Sequence, residues 1–214
     1  MKFSFFILMA FVMIPSAAFS QQTITLQLPA PDTSGGIPLM QAFKNRQTNR
    51  DFSGEPISMQ SLSDLLWAAN GINRVDEGKR TAPSAMNDQE IDVYVVLPEG
   101  SFLYDAIDHS LIQVAIDDNR KKMCVQGFAE DASVVLVFVA DYKKMSKLMS
   151  REDKDFYSAT DVGYISQNVY LYCASQGLST VVVGIINRES IAKVLNLDPT
   201  QKVLLSQCVG YPEK

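Results

Sequence analysis

The sequence predicts a layered α/β domain, two or three layers deep, and three observations carry that prediction. Stretches with a helical apolar period alternate with short, continuous apolar runs. The run Ser133–Ala140 is valine-rich throughout, the pattern of a central strand buried on both faces. No internal repeat or low-complexity tract interrupts the pattern. The roughly 190 residues after the first 20 suffice for one domain with a sizeable core.

Taken in order, the chain begins with a segment that is not expected to belong to the fold. Met1 and Lys2 give a short positive start, Phe3 to Ile14 are largely apolar, and Ala18-Phe19-Ser20 has the small-x-small pattern of a cleavage site. That apolar run is short of the roughly 20 residues a membrane span needs. Residues 1–20 therefore read as a secretory signal with Gln21 as the mature start, which places the protein in the periplasm or outside the cell. No membrane span is expected after cleavage.

Residues 21–37, with Pro29, Pro31, Gly35 and Gly36, read as an extended arm, and residues 38–214 as the domain. A short helix is expected from Pro38 to Asn45, since proline suits a first helical turn. The clearest helix is Ser58–Asn70. Ser58 can cap it, Leu62, Leu65, Leu66 and Ala69 form one stripe, and Gly71 stands where a left-handed C-terminal residue is wanted. Residues 72–90 read as loop and Ile91–Leu97 as a strand. Pro98–His109 is a polar, hairpin-like stretch with Gly100 as its turn residue, and residues 110–130 have mixed helical character. After the Ser133–Ala140 strand comes a second strong helix, Phe156–Gln176. Ala159, Val162, Ile165, Val169 and Cys173 share its face and Gly177 ends it. Thr180–Ile186 is a strand, Glu189–Leu195 a short helix and Val203–Val209 the last strand.

Composition narrows the function. The chain is 47% hydrophobic and 20% charged with a net charge of −5, so no basic surplus exists to neutralise nucleic-acid phosphates. Cys124, Cys173 and Cys208 match no metal-ligand spacing, and Cys173 and Cys208 sit in apolar runs as small buried hydrophobes. The single histidine, His109, has no partner at metal or triad spacing and reads as structural. No catalytic triad or dyad is evident.

Three polar segments stand out. Arg46-Gln47-Thr48-Asn49-Arg50-Asp51-Phe52 places two guanidiniums four residues apart with a hydroxyl between, a set able to converge on one anion. Alone, such spacing more often marks a solvated helix face. Arg80-Thr81-Ala82-Pro83-Ser84-Ala85-Met86-Asn87 is small and proline-bearing, allowing backbone approach to a ligand, though alone it reads as a surface loop. Gly177 to Gly184 joins a helix end to an apolar strand that finishes in glycine, where something can pack on the backbone or the chain simply bends.

Together and in this order the segments resemble the nitroreductase family of FMN-dependent oxidoreductases. The first matches that family's R-x-[ST]-x-R-x-F signature. Leu65 to Asn73, followed by Arg80 to Ala85, is more similar to the SagB/ThcOx-type dehydrogenase branch. Asp161 to Gly177 and Val209-Gly210-Tyr211-Pro212 also fit, so the resemblance covers roughly residues 38–212.

The resemblance implies an α+β fold in which a mixed central sheet is flanked by helices as a three-layer α/β/α sandwich. It also implies a homodimer with FMN at the interface, and a small nitro or quinone-like substrate with NAD(P)H as a donor. By motif position Arg46 and Thr48 would hold the FMN phosphate, with Gln47 in the same loop and Arg50 near the ring or phosphate. Pro83, Ser84, Ala85 and Asn87 would reach the cofactor from the partner subunit. Gln126 would set an amide against the ring, and the Val183–Gly184 backbone would face it. The flavin performs the chemistry, so no protein nucleophile is expected. Many members add a Lys or Arg well beyond the last strand as a further phosphate contact; this chain ends at Lys214, so that contact is expected to be missing or altered. The catalytic Lys and Tyr of azoline oxidases have no convincing match.

Overall fold

The computed structural model describes residues 24–213; the expected leader, its cleavage site, Gln21 and Lys214 lie outside the described residues. In chain order the elements are β1 (Thr25–Gln27), α1 (Leu39–Asn45), α2 (Met59–Asn70), β2 (Ile72–Arg74), β3 (Lys79–Arg80), β4 (Ile91–Leu97), β5 (Gly100–Asp105), β6 (Ser110–Ala115), β7 (Val134–Asp141), α3 (Arg151–Gln176), β8 (Ser179–Val183), α4 (Arg188–Val194) and β9 (Gln201–Gly210). Seven strands form one sheet in the order β1-β6-β5-β4-β7-β9-β8, with every pairing antiparallel, and β2 with β3 forms a separate small hairpin.

Strand alternation divides the core in two. Val93, Val95, Leu136 and Phe138 face α2 and α3, whose stripes supply Leu62, Leu65, Leu66, Val162, Ile165 and Val169. Tyr94, Val96, Val135, Val137 and Val139 face the other way, toward Ile191 and Leu195 at α4 and the irregular segment around Met123–Ala132. The central strand β7 is thus buried on both faces as its sequence predicts, and the three layers are α2/α3, sheet, and α4 with its neighbouring loops.

The helices begin and end for identifiable reasons. Ser58 accepts the Ser61 N–H at 3.0 Å and so caps α2. The α3 helix starts at Arg151, five residues before the expected Phe156, because Ser150 and Asp153 form a reciprocal capping box. Ala159 is exposed, so the buried stripe of α3 starts at Val162. Gly177 ends α3 in the left-handed region at φ 69°. Gly71 does not do so for α2. Its φ is −75°, and the glycine is needed because a Cβ there would lie 2.6 Å from the Trp67 ring and 2.7 Å from its Cα.

The stretch from Pro98 to Glu130 differs most from expectation. Pro98-Glu99 is a two-residue turn joining β4 to β5, and residues 110–115 form β6 instead of helix. Adjacent edges of β5 and β1 satisfy the backbone of β6, which decides the conformation of a sequence with no clear period. Residues 72–90, expected as loop, hold the β2–β3 hairpin.

Candidate functional site

The segment leaving α1 runs extended along the free edge of β8, with Asn49 N–H donating to Thr180 C=O at 3.0 Å. Extended backbone sends alternate side chains to opposite sides. Gln47 and Asn49 turn toward a 210 Å³ cleft against Cys173–Thr180, where Asn49 Nδ2 donates to Ser179 Oγ at 2.9 Å. Arg46 and Thr48 turn to the other side and meet Tyr170 of α3. The Arg46 guanidinium lies 5.5 Å above the Tyr170 ring, and Thr48 Oγ1 is 3.0 Å from the Tyr170 hydroxyl. That hydroxyl also accepts the Val182 N–H at 3.1 Å. Having accepted from Val182, the Tyr170 hydroxyl can give its proton to Thr48, an arrangement that leaves the Thr48 hydroxyl proton for a ligand.

Tyr170 therefore joins the Arg46–Thr48 segment to β8. The Thr180 carbonyl and the Val182 amide both point out of the sheet edge, and Gly184 lies exposed just past the end of the strand. The Gly184 carbonyl accepts from Arg188 Nη2 at 3.4 Å, and Val183 is buried beneath. Among the described residues neither Arg46 nor Arg50 takes part in an ion pair, so both guanidiniums keep their donors for a ligand.

The Pro83–Asn87 loop sits elsewhere on α3. Pro83 is exposed, Ala85 N–H donates to Asp161 Oδ2 at 2.8 Å, and Ser84 Oγ accepts Gln89 N–H at 3.0 Å. Met86, Asn87 and Gln89 all have positive φ, at 51°, 59° and 50°. Asn and Gln side chains tolerate this unequally, and such a run costs on the order of 1 kcal/mol per residue, so the contacts to Asp161 and Ser84 must hold it. Arg80 anchors the base of the loop, donating to Gln89 Oε1 at 2.8 Å and Asn70 C=O at 2.9 Å.

Gln126 is exposed, at the start of a short turn over the α4 face of the sheet. Its carbonyl accepts from the Cys124 thiol at 3.0 Å, and Phe128 two residues on packs 6.2 Å from the Phe52 ring. That contact places Gln126 near the far end of the Arg46–Phe52 segment. The structure thus gathers Arg46, Thr48, Val183 and Gly184 at one corner, with Gln47 on the reverse side of the same segment. No hydrogen bond joins that corner to the Pro83–Asn87 loop of the same chain. All three cysteines are buried and free, and among the described residues no three His, Cys, Asp or Glu side chains cluster as a metal site. Tyr170 is the residue sequence reasoning missed. It lies beside the apolar stripe of α3, and nothing local marks its hydroxyl as a bridge to residues 48 and 182.

The model of the nitroreductase family matches residues 43–211. The chain belongs to the nitroreductase family. A solved structure from Ralstonia eutropha JMP134, named as a nitroreductase, is 39% identical, with a TM-score of 0.84 over 89% of this chain and 90% of that one. A Methanocaldococcus jannaschii protein classed as a nitroreductase is 28% identical over 184 residues, 81% of this chain and 91% of its own length. An NADPH-flavin oxidoreductase of Vibrio harveyi is 30% identical over 117 residues, covering 49% of this chain and 48% of that protein. The three-layer fold of this nitroreductase-family chain agrees with these matches.

Proposed function

We propose that this chain is an FMN-dependent oxidoreductase acting as a homodimer, moving hydride from NADH or NADPH to a small nitro or quinone-like acceptor. The observation that carries this reading is the Arg46 guanidinium, free of any carboxylate, stacked on Tyr170 beside Thr48 at the end of the β8 edge. Unpaired guanidiniums and a free hydroxyl proton suit a phosphate dianion. Bound FMN would supply the hydride-carrying chemistry. Arg46 and Thr48 would hold its phosphate, and Arg50 would lie near the phosphate or the ring. The Gly184 N–H would orient the ring from the sheet edge, and Gln126 would offer it an amide. A cation beside the ring favours the reduced, more negative form. The flavin and NADPH in the name of the Vibrio harveyi relative support the same chemistry.

The placement of the two motifs supports the dimer. Asp161 and Tyr170 are nine residues apart on α3, about 13 Å along the axis and half a turn around it. One protomer therefore presents the Arg46 corner and the Pro83–Asn87 loop on opposite faces of α3, and the loop of a second protomer would complete the first site. Exposed Leu39, Met40 and Phe43 on α1, with Phe156 and Tyr164 on α3, provide apolar surface for a second copy to cover.

The purified mature protein should take up FMN, show flavin absorbance and run as a dimer. Arg46→Ala should weaken FMN binding at least tenfold, about 1.4 kcal/mol. A folded chain without flavin absorbance after FMN addition overturns the reading, and retained FMN without turnover of any donor indicates a binding protein on the same fold. The Leu65–Asn73 and Arg80–Ala85 stretches favour a second reading, a SagB-type dehydrogenase acting on a peptide. A reduced flavin that forms with a peptide donor and never with NADH or NADPH selects it. Export by residues 1–20 is part of the proposal, tested by the N-terminal sequence of the secreted protein, expected to begin at Gln21.

A further inference from the structure

Glu90 lies beneath the Pro83–Asn87 loop, fully buried, and neither of its carboxyl oxygens has a hydrogen-bond partner among the described residues. Its neighbour is Asp161 of α3, only 3% exposed, whose Oδ2 accepts the Ala85 N–H. Two ionised carboxylates here would be buried like charges, each short of donors. The surrounding groups do not relieve this. Asp88, on the same loop, adds a third negative charge. Arg80 lines a small cavity with Asp161, Ser84 and Ile165, but its guanidinium donates to the neutral Gln89 and Asn70 oxygens and joins no ion pair among the described residues. Ile91 and Ile165 add apolar walls to the same cavity and no further charge.

One proton resolves the conflict. A neutral Glu90 would have a proton to give Asp161, which would then accept from Glu90 and Ala85 together. Burial first, then the charges of Asp161 and Asp88, push Glu90 up to about 7, and burial raises Asp161 as well.

We propose that Glu90, through a proton shared with Asp161, is a positioning residue for the Pro83–Asn87 loop, and that loss of this proton frees the loop and weakens the cofactor site it completes. The second half of this statement rests on the FMN reading; the first half does not.

The test is amide hydrogen exchange of residues 83–89 in flavin-free protein across a pH series, corrected for intrinsic exchange. Protection of the loop should hold below about pH 4.5, fall by up to about tenfold per pH unit between there and about 7 because opening lets Glu90 ionise, and level off above. Glu90→Gln puts an amide N–H permanently in place of the shared proton, so its loop should stay protected throughout; Glu90→Ala should lose protection throughout. FMN affinity should fall over the same pH range in the wild type and stay level in Glu90→Gln. Wild-type protection that does not change with pH, or a Glu90→Gln protein that titrates like the wild type, overturns the proposal. A loop that titrates in a chain that binds no FMN keeps the positioning role and removes the flavin reading. Should the variants fail to fold, infrared spectra of the wild type decide: a protonated-carboxyl band that disappears as pH rises through neutrality is expected, and its absence at acid pH overturns the proposal.

Discussion

His109 and Glu90 are both titratable groups set into the polar seams of the fold, and they differ in whether their neighbours complete them. His109 Nε2 lies 2.7 Å from Ser63 Oγ and Nδ1 lies 3.0 Å from the Tyr104 hydroxyl. Ser63 gives its own proton to Pro29 C=O at 2.6 Å, so it accepts from Nε2–H, and Nδ1 accepts from Tyr104. The His109 carbonyl receives Leu28 N–H at 3.2 Å. A neutral histidine thus ties the N-terminal arm, α2 and β5 together with every ring nitrogen paired, and burial holds its pKa below the ordinary value. Glu90 has burial without partners. A completed polar group is a staple, whereas an orphaned one depends on a proton and so responds to solution conditions.

The largest effect that sharpens this contrast is the pH dependence of stability, because the two groups act with opposite sign. Glu90 has a raised folded pKa. Its stabilising contribution is fully present below the ordinary carboxylate value of 4.5 and is lost as pH rises through about 7. The loss is on the order of 3 kcal/mol. His109 has a lowered folded pKa, so its contribution is present above the ordinary value of 6.5 and declines as pH falls below it. Glu90→Gln should therefore lose the falling limb that Glu90 gives to urea midpoints between about pH 4.5 and 7, and so leave standing clear the rising limb that His109 gives below 6.5. A variant that flattens both limbs breaks the comparison.

The next effect comes from removing the staple. His109→Ala leaves Ser63 and Tyr104 each short of a partner and opens a gap in a packed seam, for a loss of about 2 kcal/mol in a urea titration. Protection of residues 83–89 and FMN affinity should not change. A change in either would mean that His109 also reaches the site.

What could be read from sequence, and what could not, follows the same division between local and distant causes. The Ser58 cap, the α2 stripe from Leu62 to Ala69 and the Val-rich β7 are each written in neighbouring residues, and each formed as expected. The β5–β6 pair was not legible because residues 110–115 become a strand only when β1 and β5 supply ladder bonds from elsewhere in the chain. Gly71 shows that a glycine after a helix does not by itself specify a left-handed residue, since here the nearby Trp67 explains it. The Arg46–Thr48 corner could be named from its motif, but Tyr170 is 122 residues from Thr48, and Asp161 is 76 residues from the Ala85 amide it holds. Only the folded chain brings those partners together.

The smallest predicted effect tests whether Tyr170 belongs with His109 or with Glu90. Its hydroxyl is paired on both sides, to Thr48 and to Val182 N–H, and its ring lies under Arg46. Tyr170→Phe keeps the ring and removes the hydroxyl. Val182 N–H and Thr48 lose one partner each at a site close enough to the surface for water to replace it, so the cost is about 1 kcal/mol. Because Thr48 and β8 then hold their positions less firmly, FMN affinity should drop roughly fivefold, read by quenching of flavin fluorescence. That drop should be the same at acid and alkaline pH, as expected for a completed group. A loss confined to one side of neutrality would place Tyr170 in the same titrating network as Glu90 and break the distinction between staple and switch.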